Sequence, residues 1–121
     1  MPGDLAQIFA RYAACVTAGD VDGIVSLYAP EAAIEIPVGG PVHRGIDAIR
    51  AFYRDNELAE RLEITGSPCI AGREGAVPMK AQIRRDGRRF EIDVIDVAAV
   101  DEHGRLTRLR AFFDLAGARP L

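Results

Sequence analysis

Two long stretches of alternating apolar and polar residues, separated by a short glycine-containing turn, constrain the fold of this chain more than any other feature. Val77 to Arg84 has an apolar side chain at every second position, and Phe90 to Val100 repeats the pattern. Because successive side chains of a strand point to opposite faces, this alternation predicts two strands that are buried on one face. The residues between them, Arg85-Asp86-Gly87-Arg88, predict a hairpin turn.

The first half of the chain has helical periodicity instead. Apolar residues recur at three- and four-residue spacing in residues 4–18 and again in residues 46–55. Gly19 supplies the stop of the first of these helices. Asp20 predicts the N-cap of a second helix, Val21 to Tyr28.

Further strands complete the pattern. Residues 32–38 alternate before a Gly-Gly-Pro loop, and residues 105–115 form a last predicted strand. Helices that precede a run of strands favour an α+β fold, and a length of 121 residues predicts one domain, 1–121.

Charge and composition exclude several classes of partner. The 15 Lys and Arg residues against 18 Asp and Glu residues give a net charge of −3, so the chain lacks the positive excess that nucleic acids or anionic membranes attract. No apolar run approaches the roughly 18 residues of a membrane span, and residues 1–4 do not resemble a signal peptide. We therefore expect a soluble, cytoplasmic protein with no nucleic-acid or membrane partner, in which Cys15 and Cys69 are reduced.

Two other features carry little chemistry. His43 and His103 stand apart from further metal-ligating residues, so we predict no metal site. The arginine-rich segment Arg84 to Arg89 has no interleaved aromatic residues, and we interpret it as a solvated hairpin tip.

Asp96 is the most informative single position. It shares the strand face of Ile92, Val94 and Ala98, so its carboxyl group falls within an apolar row. Burial disfavours the charged form, raises the pKa and favours a neutral carboxyl group that donates a hydrogen bond. A buried acid paired with an arginine or with a backbone group is the competing interpretation.

The three tyrosines of the chain, Tyr12, Tyr28 and Tyr53, all fall on predicted inner faces of helices. Buried phenols need hydrogen-bond partners, and they could be partners for one another. Spacing alone equally allows three core aromatics whose hydroxyls are satisfied elsewhere.

Several segments, taken in order, closely resemble bacterial Δ5-3-ketosteroid isomerases, also called steroid Delta-isomerases. They are Tyr12-Ala13-Ala14, Ala18 to Val25, Gly45 to Tyr53, Asp93 to Val97 and Asp101 to Arg105. The resemblance covers nearly the whole chain. It implies the cone-shaped α+β fold of nuclear transport factor 2-like proteins, with three helices on a curved, mainly antiparallel sheet that encloses an apolar pocket. It also implies a homodimer, a small apolar ligand such as a steroid, and no cofactor.

The resemblance further implies roles for individual residues. Tyr12 and Asp96 match the family's oxyanion hole, in which a tyrosine and a protonated aspartate donate hydrogen bonds to the steroid 3-oxygen; this role is inherited from the family and not worked out from spacing. Tyr28 and Tyr53 match the supporting tyrosines. The expected pocket wall consists of Val16, Val38, Phe52, Met79, Val97, Leu109 and Phe113.

The chain departs from the family at the general base. The family has the pattern Glu-Asp-Pro-Val-Gly, whereas this chain has Glu35-Ile36-Pro37-Val38-Gly39, which puts Ile36 at the base position. An isoleucine cannot carry a proton, and a positioned base contributes about 10²–10⁴ in rate. Glu35 is a candidate substitute base, although strand alternation points it away from the pocket.

Other carboxylates are more distant candidates for the base, and each is interpreted as a surface charge. They are Glu57, Glu60, Glu63 and Asp114.

The sequence therefore predicts a steroid Delta-isomerase-like enzyme with an oxyanion hole and an impaired proton transfer. Three alternatives remain open. The chain could be an engineered family member redirected to another proton-transfer or elimination reaction, a non-catalytic steroid-binding module, or a cyclase or epoxide hydrolase of the same superfamily.

Overall fold

The structure is a computed structural model that describes residues 4–121. Within that range there are three α-helices: α1 (Leu5–Ala18), α2 (Val21–Val25) and α3 (Ile46–Asp55). The same range holds eight strands: β1 (Tyr28–Glu35), β2 (Val42–Arg44), β3 (Arg61–Ile64), β4 (Cys69–Ala71), β5 (Glu74–Arg85), β6 (Arg88–Val100), β7 (Leu106–Phe112) and β8 (Arg119–Pro120). A 3-10 turn spans Leu115–Gly117.

One mainly antiparallel sheet organises the chain. Its strand order is β2-β1-β7-β6-β5-β3, with β4 paired to β5 and β8 paired to β6. The two alternating stretches form the long β5–β6 hairpin, whose register runs from Glu74 opposite Ala99 to Arg85 opposite Arg88. Strands β1 and β7 pair in parallel. The prediction of three helices on a curved, mainly antiparallel sheet is confirmed.

Caps define where the first two helices begin and end. The Asp4 side chain accepts a hydrogen bond from the Ala6 N–H, and Gly19, at φ 67°, ends α1 in the left-handed conformation. Asp20 caps α2 by accepting from the Gly23 N–H at 2.9 Å. A Cβ at Gly23 would lie 2.4 Å from Asp20 Oδ2 and 2.9 Å from Cys15 Sγ, so glycine allows α2 to pack closely on α1.

The prediction that α2 extends to Tyr28 is wrong. The chain turns after Val25, and Tyr28 is the first residue of β1, where it lies opposite Leu106 of β7. The Leu27 carbonyl accepts a hydrogen bond from the Leu106 N–H at 2.8 Å. Sheet pairing therefore overrides the local helical spacing.

Two strand ends also differ from the prediction. Strand β1 ends at Glu35, three residues before Val38, because residues 36–40 form bends and a turn. Strand β7 ends at Phe112, and Asp114 caps the following 3-10 turn by accepting from the Ala116 N–H.

The core lies between the helices and the inner face of the sheet. Its largest fully buried side chains are Phe9, Ile24, Ile34, Ile49, Met79, Leu106, Leu109 and Val77. Each such aliphatic or aromatic side chain contributes about 1.5–3 kcal/mol on burial. In the described part of the chain, no helix has the length and apolar character needed to cross a membrane.

Candidate active site

A cavity of about 370 Å³ opens between the helices and the inner face of the sheet. Tyr12 of α1, Tyr53 of α3 and Asp96 of β6 line it together, which unites three of the polar residues that the sequence singled out. Apolar side chains make up most of the remaining surface, and charged side chains occur at its mouth. We call this space the cavity below.

Asp96 is buried as the strand alternation predicts. It is 2% exposed and is the one buried charged residue of the described range. Its Oδ2 atom has no hydrogen-bond partner there, so the competing interpretation of an arginine-paired acid is wrong. Burial raises the pKa of Asp96 to about 7. A substantial fraction of this carboxyl group is therefore protonated at neutral pH and can donate a hydrogen bond.

The three tyrosines form a buried hydrogen-bonded chain. Tyr53 Oη lies 2.9 Å from Tyr12 Oη and 2.7 Å from Tyr28 Oη. Burial, and next the nearby Asp96 carboxylate, hold the pKa of Tyr12 well above its usual range. If Tyr28 donates to Tyr53 and Tyr53 to Tyr12, the Tyr12 proton is left to donate into the cavity.

Ile36 follows β1 directly and lines the cavity together with Pro37. The wall beside the base position is therefore apolar. No carboxylate of residues 4–121 other than Asp96 and Glu57 contributes to the cavity surface.

Glu35 lies outside the cavity lining. Its Oε1 accepts a hydrogen bond from Arg110 Nε at 2.9 Å, and its Oε2 accepts from the Gly39 N–H at 3.0 Å. The Gly39 hydrogen bond, followed by the Arg110 guanidinium, lowers the pKa of Glu35. A carboxylate held in this way is a weak base that faces away from a bound ligand.

Of the four other carboxylates considered as the base, three form ion pairs or cap a turn. Glu60 pairs with Arg84 and Arg89, Glu63 pairs with Arg61, and Asp114 caps the 3-10 turn. Glu57 differs, because this exposed side chain contributes to the mouth of the cavity.

Comparisons with known proteins identify the family of this chain. The sequence model of the SnoaL-like domain family matches residues 9–109. The chain belongs to the SnoaL-like family. It is 32% identical over 114 residues to a steroid Delta-isomerase of Nocardioides simplex, covering 93% of this chain and 92% of that protein. The resemblance to ketosteroid isomerases is thereby confirmed.

A solved structure of the same fold has a different described role. It is the epoxide hydrolase/cyclase-like enzyme SalBIII, described for pyran ring formation in the polyether salinomycin. It superposes with a TM-score of 0.84 at 30% identity, covering 95% of this chain and 94% of SalBIII. The SnoaL-like fold of this chain thus has both isomerase and cyclase-like relatives.

The expected cavity wall is only partly right. Val16, Phe52 and Phe113 line the cavity of this SnoaL-like domain, whereas four other expected residues do not. Those four are Val38, Met79, Val97 and Leu109.

Each misplacement has a physical reason. Met79 and Leu109 are at most 1% exposed and belong to the packed core. Val97 follows Asp96 directly and so occupies the opposite face of β6, and Val38 lies in the turn after β1 has ended.

Sequence reasoning also missed part of the lining. Ile92 and Val94 share the face of Asp96, so strand alternation alone could have found them. Leu58 and Ala59 lie in the irregular segment after α3, where no periodicity marks an inward side chain.

Proposed function

We propose that this chain is a steroid Delta-isomerase-like protein that converts 3-oxo-Δ5-steroids to 3-oxo-Δ4-steroids, with a proton transfer impaired by Ile36. The observation that carries the proposal is the buried Asp96 carboxyl group, unpartnered at Oδ2, in the same apolar cavity as Tyr12 and Tyr53, whose hydroxyls are hydrogen-bonded to each other and, through Tyr53, to Tyr28.

Tyr12 and Asp96 stabilise the intermediate. Removal of a proton from C4 of the steroid places negative charge on the 3-oxygen of a dienolate. Two donors in a site of low dielectric stabilise that charge without having to reorient, and this stabilisation often accounts for more of the rate enhancement than any other effect. Return of the proton at C6 completes the isomerisation with no net change in atoms or electrons.

Proton transfer is the weak step of this mechanism. Ile36 supplies no base, and Glu35 is bound to Arg110 and the Gly39 N–H. The dienolate is therefore well stabilised but slowly formed.

The rate of 5-androstene-3,17-dione isomerisation, followed by the absorbance of the conjugated enone, tests this function. We expect Ile36→Asp to exceed the parent by about 10²–10⁴-fold, since it restores a positioned base. Ile36→Asn is the matched control, because it has the shape and polarity of the aspartate but cannot act as a base, and it should gain nothing.

Three outcomes would change the proposal. A parent that is already fast would show that another carboxylate acts as the base. Binding of the phenolic steroid equilenin without turnover by the parent or by Ile36→Asp would indicate a steroid-binding module. Inactivity together with failure to bind equilenin would refute the steroid assignment.

A second candidate is opening of an epoxide by an internal hydroxyl group to close a ring. Its support is the similarity to SalBIII and a carboxyl group, Asp96, whose pKa of about 7 suits it to protonate an epoxide oxygen. A cyclase would convert a hydroxy-epoxide in the parent, lose that activity in Asp96→Asn, and remain inert toward steroids in Ile36→Asp.

We also propose that the protein is a homodimer formed through the outer face of the sheet. Ile95 and Phe112 are 49% and 41% exposed and lie directly opposite each other on β6 and β7. Exposed apolar pairs of this kind are typical of association surfaces. A two-fold interface would bury the pair on each of the two subunits.

The cytoplasmic location stays a prediction. Cys15 and Cys69, which are both within the described residues, form no disulfide, and this is compatible with a reducing compartment.

A further inference from the structure

The arginine-rich hairpin tip is not merely a solvated surface. Arg84 and Arg85, at the end of β5, contribute to the lining of the cavity that contains Asp96. We propose that the cavity takes a ligand with an organic anion, a carboxylate or a sulfate, at the end remote from Asp96, and that Arg85, which shares the β5 face of Ala81 and Ile83, binds this anion. The inference rests on the proposed function, because it assumes that Tyr12 and Asp96 hold the carbonyl or phenolic end.

The charges of the hairpin leave room for an anion. Arg84 lies opposite Arg89 and Arg85 opposite Arg88, so two pairs of like charges face each other across the strands. Directly opposed like charges destabilise a sheet unless counter-charges are near. A bound carboxylate or sulfate would supply such a counter-charge.

The protein itself supplies little compensation. Glu60 is the one carboxylate of the described range that forms ion pairs with these four arginines, at 3.4 Å from Arg84 and 3.3 Å from Arg89. Arg85 and Arg88 have no ion pair within that range.

Arg84 is engaged away from the cavity. It follows Ile83 directly, so its side chain leaves β5 on the opposite face, where Arg84 and Arg89 both pair with Glu60. Arg85 shares the face of Ile83, and its planar guanidinium can hold a carboxylate or sulfate through two hydrogen bonds.

The length of the cavity separates the two ends of the ligand. Arg85 lies opposite Arg88, which precedes Asp96 by eight residues on β6. At about 3.3 Å per residue this places the two backbones roughly 25 Å apart, and the long arginine side chain shortens the gap. Ile83, Ile92 and Val94 line the space between. The ligand that fits is an elongated apolar body with an oxygen at one end and an anion, on a short arm, at the other.

Glu57 opposes the proposed anion. It is the only carboxylate besides Asp96 in the cavity lining of residues 4–121, and it belongs to the segment that follows α3. The proposal therefore predicts that removing its charge strengthens anion binding.

The test uses two ligands that differ in one charge: 17β-estradiol 17-hemisuccinate and its methyl ester. Both present the same phenol to Tyr12 and Asp96, and both carry the same arm. Calorimetry at low ionic strength measures both dissociation constants for the parent and for Arg85→Gln. Arg89→Gln is the matched control, because it removes a charge from the same hairpin at a side chain outside the cavity lining and on the β6 face opposite Asp96.

We expect the parent and Arg89→Gln to bind the acid about tenfold more tightly than the ester, a preference that shrinks as salt is added. In Arg85→Gln the two ligands should bind equally. Glu57→Gln should widen the preference.

Failure of this proposal is distinguishable from failure of the proposed function. Equal binding of acid and ester by the parent would overturn the anion site alone. Loss of the preference in Arg89→Gln as well would also overturn it, since a diffuse field and not Arg85 would be responsible. If neither ligand binds, or if Asp96→Asn leaves ester affinity unchanged, the proposed function fails and the anion site falls with it.

Discussion

Replacement of Asp96 by asparagine should change how the stability of this SnoaL-like protein depends on pH. The substitution keeps the shape of the side chain and removes its titration. Asp96 is 2% exposed, and burial raises its pKa from 3.8 to about 7 in the folded protein. The folded state therefore holds the Asp96 proton more tightly than the unfolded chain does.

The sign follows from proton linkage. Between pH 3.8 and about 7 the folded protein binds more protons at Asp96 than the unfolded chain, so this group lowers the free energy of unfolding as the pH rises. The free energy of unfolding falls by about 1.4 kcal/mol for each pH unit, which amounts to on the order of 4 kcal/mol across the interval. Above pH 7 the contribution is constant.

Urea unfolding of the parent and of Asp96→Asn from pH 4 to pH 8 measures this effect. We expect the stability of the variant relative to the parent to increase steadily toward pH 7 and then to level off. Asp93→Asn is the control on the same strand and opposite face. The Arg119 hydrogen bond lowers the pKa of Asp93 below 3.8, so Asp93 titrates mainly below pH 4 and the difference between that variant and the parent should stay nearly constant from pH 5 to pH 8. If the difference in unfolding free energy between the parent and Asp96→Asn does not change with pH, the claim that Asp96 is buried and retains its proton is refuted.

Three further predictions follow from the contacts of the site and the sheet. Tyr53→Phe removes the hydroxyl that links Tyr12 and Tyr28, so the free energy of unfolding measured in urea should fall by about 1–3 kcal/mol. Equilenin should also bind more weakly. Unchanged values would show that the hydrogen-bonded chain of tyrosines is unimportant. Glu35→Gln in the Ile36→Asp background should leave the isomerase rate unchanged, and a large loss would identify Glu35 as a base after all. Ile95→Arg should convert a dimer into a monomer by light scattering, and a dimer that persists would place the interface elsewhere.

Much of the fold follows from local sequence patterns. The β5–β6 hairpin is predictable because one face of each strand is buried, and Asp96 stands out as an acid in that buried row. The caps Asp4 and Asp20 and the stop at Gly19 act through nearby backbone groups, so the bounds of α1 and the start of α2 are also predictable.

The remainder depends on contacts between distant segments. Tyr28 fits a helical spacing locally, yet its backbone pairs with Leu106, far along the chain. The short strands β2 and β8 owe their conformation to neighbours in the sheet. The role of Arg85 at the cavity mouth depends on how the sheet end meets the segment after α3, which no periodicity encodes.

The central claim is that Tyr12 and Asp96 donate hydrogen bonds to one oxygen of a bound ligand. The dissociation constant of equilenin, measured by its fluorescence for the parent and for Tyr12→Phe, tests it most directly. Loss of one donor to a phenolate-like oxygen should weaken binding by about tenfold or more. Equal affinity in the two proteins would contradict the claim.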